Sequence, residues 1–150
     1  MAVFIVPYKD INQTMQGIRT QVVDSLQFCA DSMPVFSNPD QMWHGLKQMV
    51  RYKHDPAGIE LLQSVQTLFD NNYWGVSGSG DCDCFSILVL AMCCVHGWTD
   101  QRIVLAGRSK EAPVHIWTEI KWDNDWYCMD LTQPFFNLPR KYKYTQYLYV

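Results

Sequence analysis

The chain has 150 residues, 48% of them hydrophobic and 18% charged, a size and balance that fit one folded domain and exclude global disorder. A formal net charge of −3, with Arg140, Lys141 and Lys143 as the one small basic cluster, excludes nucleic-acid recognition through a broad basic face. The longest apolar run, Phe85 to Val95, is far shorter than the roughly twenty residues of a bilayer span, so it reads as a buried core element and no membrane association is expected.

The first ten residues, Met1 to Asp10, have neither a cationic lead nor a small-residue cleavage site, so they do not read as a secretory signal. With Val3 to Val6 apolar, they hold a short strand or plug. Asp10 is placed to cap a helix, and Ile11, Met15, Ile18, Val22, Leu26 and Cys29 follow at spacings of one helical face. Pro34 and Ser37-Asn38-Pro39 end it, and Pro39 suits the first turn of a second helix with Met42, Trp43, Leu46, Met49 and Val50 on its apolar side. His54 to Gly58 reads as a turn, and the spacing of Ile59, Leu62, Val65 and Phe69 predicts a third helix.

Asn71 to Gly80 is a glycine-rich loop that feeds Cys82 to His96, apolar on all sides and therefore the central buried helix, ended by His96-Gly97 with His96 as favourable charge at its C-terminus. The period then changes to two. Arg102 to Ala106, Val114 to Trp122 and Trp126 to Leu131 predict three strands, Asp123-Asn124 a hairpin turn, and Tyr142 to Val150 a last strand. Helices first and an antiparallel sheet later make the class α+β, across a single domain of residues 1–150. Aromatic residues make up 14% of the chain, which suits a substrate groove or a thick aromatic core; Trp117, Trp122 and Trp126 read as cross-strand packing.

Six cysteines occur (Cys29, Cys82, Cys84, Cys93, Cys94, Cys128), and without an export signal they read as reduced thiols in a cytoplasmic protein. Cys29, Cys93, Cys94 and Cys128 read as small core residues. Cys82 differs, because it opens a helix directly after flexible glycines. The N–H groups and dipole of a helix N-terminus stabilise a thiolate and can bind an oxyanion. Asp81 and Asp83 oppose this with like charge. Cys84 lies two residues on, about 200° around the helix, so only one of the two sulfurs can face a given cleft, and the position of Cys82 at the junction favours it.

A His–Asp pair follows from the register of the hairpin. With Asp123-Asn124 as a two-residue turn, Trp122 pairs with Asp125 and Asp130 falls opposite Trp117, on the same face as His115 and diagonal to it. A slip of one residue would place the two on opposite faces. A zinc reading of Cys82, Cys84, Cys93 and Cys94 lacks the usual Cys-x-x-Cys spacing.

Three motifs in this order, Gly80-Asp81-Cys82-Asp83, His115-Ile116-Trp117-Thr118-Glu119 and Trp126 through Asp130-Leu131-Thr132, resemble the transglutaminase-like superfamily. The likeness spans roughly residues 40 to 135, and with Tyr52-Lys53-His54-Asp55-Pro56 it is similar to small members found in phages and mobile elements. Those usually carry a further Asp where this chain has Cys84. The resemblance implies a papain-like core, with a buried central helix packed on a C-terminal antiparallel sheet, and a small residue, Ser86, four positions after the nucleophile. It also implies the roles: Cys82 as nucleophile, His115 as general base and acid, and Asp130 holding the imidazole, with Trp43 or Trp74 completing an oxyanion hole. The expected activity is acyl transfer from amide or peptide bonds of a protein or peptide substrate, to water or to an amine, with no cofactor and no metal. The alternatives are a catalytically silent copy serving as a binding or phage-assembly module, and a thiol-redox protein using Cys82 and Cys84.

Overall fold

The computed structural model describes residues 3–7 and 10–149, with the order β1 (Val3–Pro7), α1 (Ile11–Ser32), α2 (Pro39–Met49), β2 (Arg51–Tyr52), β3 (Ile59–Gln63), α3 (Val65–Phe69), β4 (Ser79–Gly80), α4 (Cys82–Val95), β5 (Gln101–Gly107), β6 (Pro113–Trp122), β7 (Asp125–Cys128) and β8 (Tyr144–Tyr149). The class is α+β. Met1, Ala2, Tyr8, Lys9 and Val150, which belong to the expected signal-free leader and terminal strand, lie outside the described residues.

The helices begin where the sequence offers caps. Asp10 Oδ1 accepts the Gln13 N–H (3.0 Å) at the start of α1, and Asn38 Oδ1 accepts the Gln41 N–H (2.9 Å) ahead of Pro39 in α2. On the buried face of α1 three polar side chains, Thr14, Gln21 and Ser25, interrupt the apolar stripe, and the last two reach across to neighbouring elements. Gln21 Nε2 donates to the Leu62 carbonyl (2.7 Å), and Ser25 Oγ accepts the Val65 N–H (2.8 Å), which docks β3 and α3 on α1. Gly17 permits the same approach, since a Cβ there would sit 2.5 Å from Leu62 Cδ1.

Residues 59–69 are not one helix. Ile59–Gln63 pairs antiparallel with Val3–Pro7, and Ser64 then caps the short α3 through the Thr67 N–H (3.2 Å). The pairing partner lies more than fifty residues away, so local periodicity did not carry it. The glycine-rich segment contains the two-residue β4, paired parallel with β2.

A four-stranded antiparallel sheet in the order β7-β6-β5-β8 closes the fold. One face, with Ile103, Leu105, Ile116 and Ile120, joins the main core around α4 and α1. The other face carries Val104, Ala106, Trp117 and Cys128, with Tyr142 packed against them. Asp123 and Asn124 both have positive φ, +49° and +67°, as a primed two-residue hairpin turn requires. The pairing Glu119↔Cys128 through Trp122↔Asp125 is the register the turn predicts. β7 ends at Cys128, short of the expected Leu131, because the chain bends away after the Met129 N–H bonds the Thr118 carbonyl (2.9 Å).

Two smaller expectations are corrected. Cys94 is exposed, because it falls on the solvent side of the last turn of α4. His96 does not act as a cation at the helix end: its Nε2 accepts the Phe36 N–H (2.9 Å) and its Nδ1 donates to the Met92 carbonyl (2.7 Å), a pattern that needs the neutral ring. No helix among the described residues is long and apolar enough to cross a membrane.

The loop before α4 is fixed by Gly78, which has φ +83° and whose added Cβ would lie 2.1 Å from the Met49 carbonyl oxygen. Gly75 shares a positive φ, +74°, yet a Cβ there meets nothing within 4 Å. Gly75→Ala should therefore cost about 1–2 kcal/mol from backbone strain alone, and Gly78→Ala distinctly more. Urea midpoints of the two variants check this, and equal losses would contradict it.

Candidate active site

A cavity of about 360 Å³ opens between the start of α4, the head of β6 and the segment from Tyr52 to Glu60. Its wall includes Cys82 and His115, so the structure brings these two sequence candidates to one cleft. Asp130 stands directly behind the histidine.

The histidine arrangement is built from the hairpin. His115, on β6, is buried at 8% exposure, and its Nε2 lies 2.7 Å from Asp130 Oδ2. Asp130 sits just past β7 on the turn that the hairpin register delivers. Its other oxygen, Oδ1, accepts both the Thr132 N–H (2.9 Å) and the Thr132 hydroxyl (2.7 Å). Burial by itself pushes the Asp130 carboxyl up, but the hydrogen bonds from His115 and Thr132 outweigh it and hold the group below the usual carboxylate range. An ionised Asp130 accepts only, so His115 Nε2 carries the proton and Nδ1 is left as the basic nitrogen. Trp117 and Tyr142 flank the ring, with centroids at 5.4 and 6.2 Å.

Helix α2 holds this turn in place. Trp43 Nε1 donates to the Asp130 carbonyl (3.1 Å), and Lys47 Nζ donates to the Leu131 carbonyl (2.8 Å). The indole of Trp43 is therefore a brace for Asp130 and not an oxyanion donor. Trp74 is also not one, because it does not line the cleft; its Nε1 is buried without a partner. Sequence pattern alone gave no sign of these two bonds from α2, which join residues more than eighty positions apart.

Cys82 is half-buried at the first position of α4, with its sulfur near the Ile116 backbone N–H, adjacent to His115. Among the described residues no hydrogen bond joins the Cys82 thiol to the His115 ring. Burial pushes this thiol well above its ordinary range, Asp83 and Asp81 push it further, and the Ile116 N–H opposes them. The helix end offers roughly half a positive charge, whereas Asp81 caps that end through the Asp83 N–H (3.2 Å) and Asp83 lies in the first turn. Burial, with the acids adding to it, outweighs the helix end, and the resting sulfur is a thiol. Cys84 points away: it is buried, and its Sγ donates to the Leu61 carbonyl (3.1 Å). All six cysteines are free. Ser86, four residues after Cys82, donates its hydroxyl to the Cys82 carbonyl (2.8 Å) and packs the helix end.

Asp55 and Glu60 also line the cleft. Asp55 was legible only as part of a turn, and Glu60 was hidden in a segment read as helix. Burial pushes the Asp55 carboxyl up to about 6. No family model, no curated protein and no solved structure matches the chain.

Because the folded Asp130 carboxyl lies below its unfolded value, its contribution to stability is present above about pH 4 and is lost as pH falls through the folded value. Asp130→Asn should lower unfolding stability at pH 7 by roughly 1–3 kcal/mol, the cost of a broken buried charged hydrogen bond, and the gap should narrow at pH 3. Guanidinium unfolding at the two pH values measures it, and an unchanged gap would show that the carboxylate charge does not matter.

Proposed function

We propose that the chain is a cysteine-nucleophile acyl-transfer enzyme with a papain-like, transglutaminase-like core, acting on amide or peptide bonds of a protein or peptide. The observation that carries this reading is the 2.7 Å His115–Asp130 hydrogen bond, which turns Nδ1 of a buried imidazole into the proton acceptor of a cleft that also displays Cys82. The three motifs of the sequence resemblance fall at these same positions.

In this reading His115 works as a general base on a neutral thiol. As the Cys82 sulfur attacks the carbonyl carbon, its proton passes to His115 Nδ1 and an S–C bond forms. The tetrahedral intermediate collapses, the C–N bond breaks, and the leaving amine takes the proton from His115. Water or a second amine then gives a proton to the same nitrogen as it attacks the thioester. The acyl group leaves on the new acceptor, and the sulfur regains its proton. Asp130 holds the tautomer and offsets the imidazolium charge. A thiol–imidazole bond that is absent from the resting site and closes on substrate is common for such groups.

The protonated state of Cys82 and its missing bond to His115 favour a second reading, a catalytically silent fold that binds a partner. p-Nitrophenyl acetate separates the two. The enzyme reading expects a burst of p-nitrophenolate and acetyl transfer mapped to Cys82, lost in Cys82→Ala, kept in Cys84→Ala, and slowed by about 10²-fold or more in His115→Gln. Acetylation spread over exposed Cys94, or a burst that survives Cys82→Ala, would leave the binding module.

A further inference from the structure

The cleft contains a second constellation that the acyl-transfer reading does not use. Side-chain oxygens of Asp55, Glu60, Asp81 and Asp83 all lie within 4.8 Å of one another. They come from three places in the chain: the loop after β2, strand β3 and the start of α4. Asp81 and Asp83 are 7% and 6% exposed, and among the described residues no Lys or Arg lines the cavity. Four carboxylates gathered at such depth need cations, protons or donors.

The donors are few. Asp55 Oδ2 accepts the Leu61 N–H (2.8 Å), and Asp81 Oδ1 accepts the Asp83 N–H (3.2 Å). Asp55 Oδ1 is fully buried and has no hydrogen-bond partner. Among the described residues no N–H or hydroxyl donates to the side chain of Asp83, which faces the cavity although nine-tenths of it is buried. The carboxyls otherwise meet one another, Asp55 with Asp81 and Glu60 with Asp83, and two carboxyl oxygens held face to face need a proton or a cation between them.

We infer that Asp55, Glu60, Asp81 and Asp83 form a binding site for one hard divalent cation of the calcium class. The donor set is oxygen only, which selects hard cations over zinc or copper. Four protein carboxylates in one cage suit calcium, which takes six to eight oxygen ligands, better than magnesium, which keeps several waters and takes one or two carboxylates. Because the ligands come from the loop before β3, from β3 and from α4, the ion would tie those elements across the cleft. The site shares the cavity wall with His115, and the Cys82 sulfur lies within 4.8 Å of carboxylate oxygens of Asp81 and Asp83, but its existence does not depend on catalysis.

The test uses the full chain, stripped with a chelator, with terbium luminescence and a calcium titration of the melting temperature as readouts. Saturable terbium luminescence, displaced by calcium, and a calcium-dependent rise in melting temperature are expected. Asp83→Asn and Asp55→Asn should each weaken calcium binding at least about tenfold, Asp40→Asn on exposed α2 should not, and Cys82→Ala should bind as the parent does. Absence of saturable binding at millimolar calcium overturns the site. So does an equal rise in melting temperature in Asp55→Asn and Asp83→Asn with and without calcium, which would show that the cluster holds shared protons. Loss of the acetylation burst with calcium binding intact would remove the enzyme reading alone.

Discussion

A single hydrogen bond, His115 Nε2 to Asp130 Oδ2 at 2.7 Å, gives the cleft its chemical direction. It exists because two residues of the hairpin turn, Asp123 and Asn124, both adopt positive φ and fix the register of β6 against β7. A slip of one residue would send Asp130 to the opposite face of the sheet. The turn alone does not secure the carboxylate, since β7 ends two residues earlier. Thr132 clamps one oxygen from within the turn, and Trp43 and Lys47 reach from α2 to hold the carbonyls of residues 130 and 131. A sheet, a turn and a distant helix thus fix one imidazole ring in the wall of the cavity.

Electrostatics divides the cleft into two parts. Around His115 the balance is closed, with a depressed carboxylate facing a ring that donates to it. Around Cys82 it is open, because Asp55, Glu60, Asp81 and Asp83 crowd a region where the described wall residues include no Lys or Arg. A helix dipole worth about half a charge does not offset the burial of the thiol and the neighbouring Asp83 and Asp81, so the sulfur keeps its proton. That arrangement fits a base-assisted thiol better than a preformed thiolate–imidazolium pair. It also makes the acid cluster a feature in its own right.

How much of this was readable beforehand follows from the range of the interactions. Helix α1, helix α4 and the hairpin are written in local periodicity, caps and a turn dipeptide, and the arithmetic of the hairpin put Asp130 beside His115. Cys82 at a helix start was readable from the glycine loop and the apolar run. The segment 59–69 was misread because β3 exists by pairing with Val3–Pro7, a contact with no local signature. Glu60 entered the cleft through that same pairing. Trp43 was assigned to an oxyanion role, whereas its N–H is engaged by a carbonyl eighty-seven positions away. His96 was read as a charge at a helix end, and it is instead a neutral bridge to Phe36. In each case the deciding partner was distant in the chain.

Nitrogen-15 NMR of the His115 ring at neutral pH addresses the central claim at the atom concerned. A neutral ring protonated at Nε2, with a strongly hydrogen-bonded proton that disappears in Asp130→Ala, is the result the account requires. A ring protonated at Nδ1 would hold its lone pair on Nε2, against Asp130, and would contradict it.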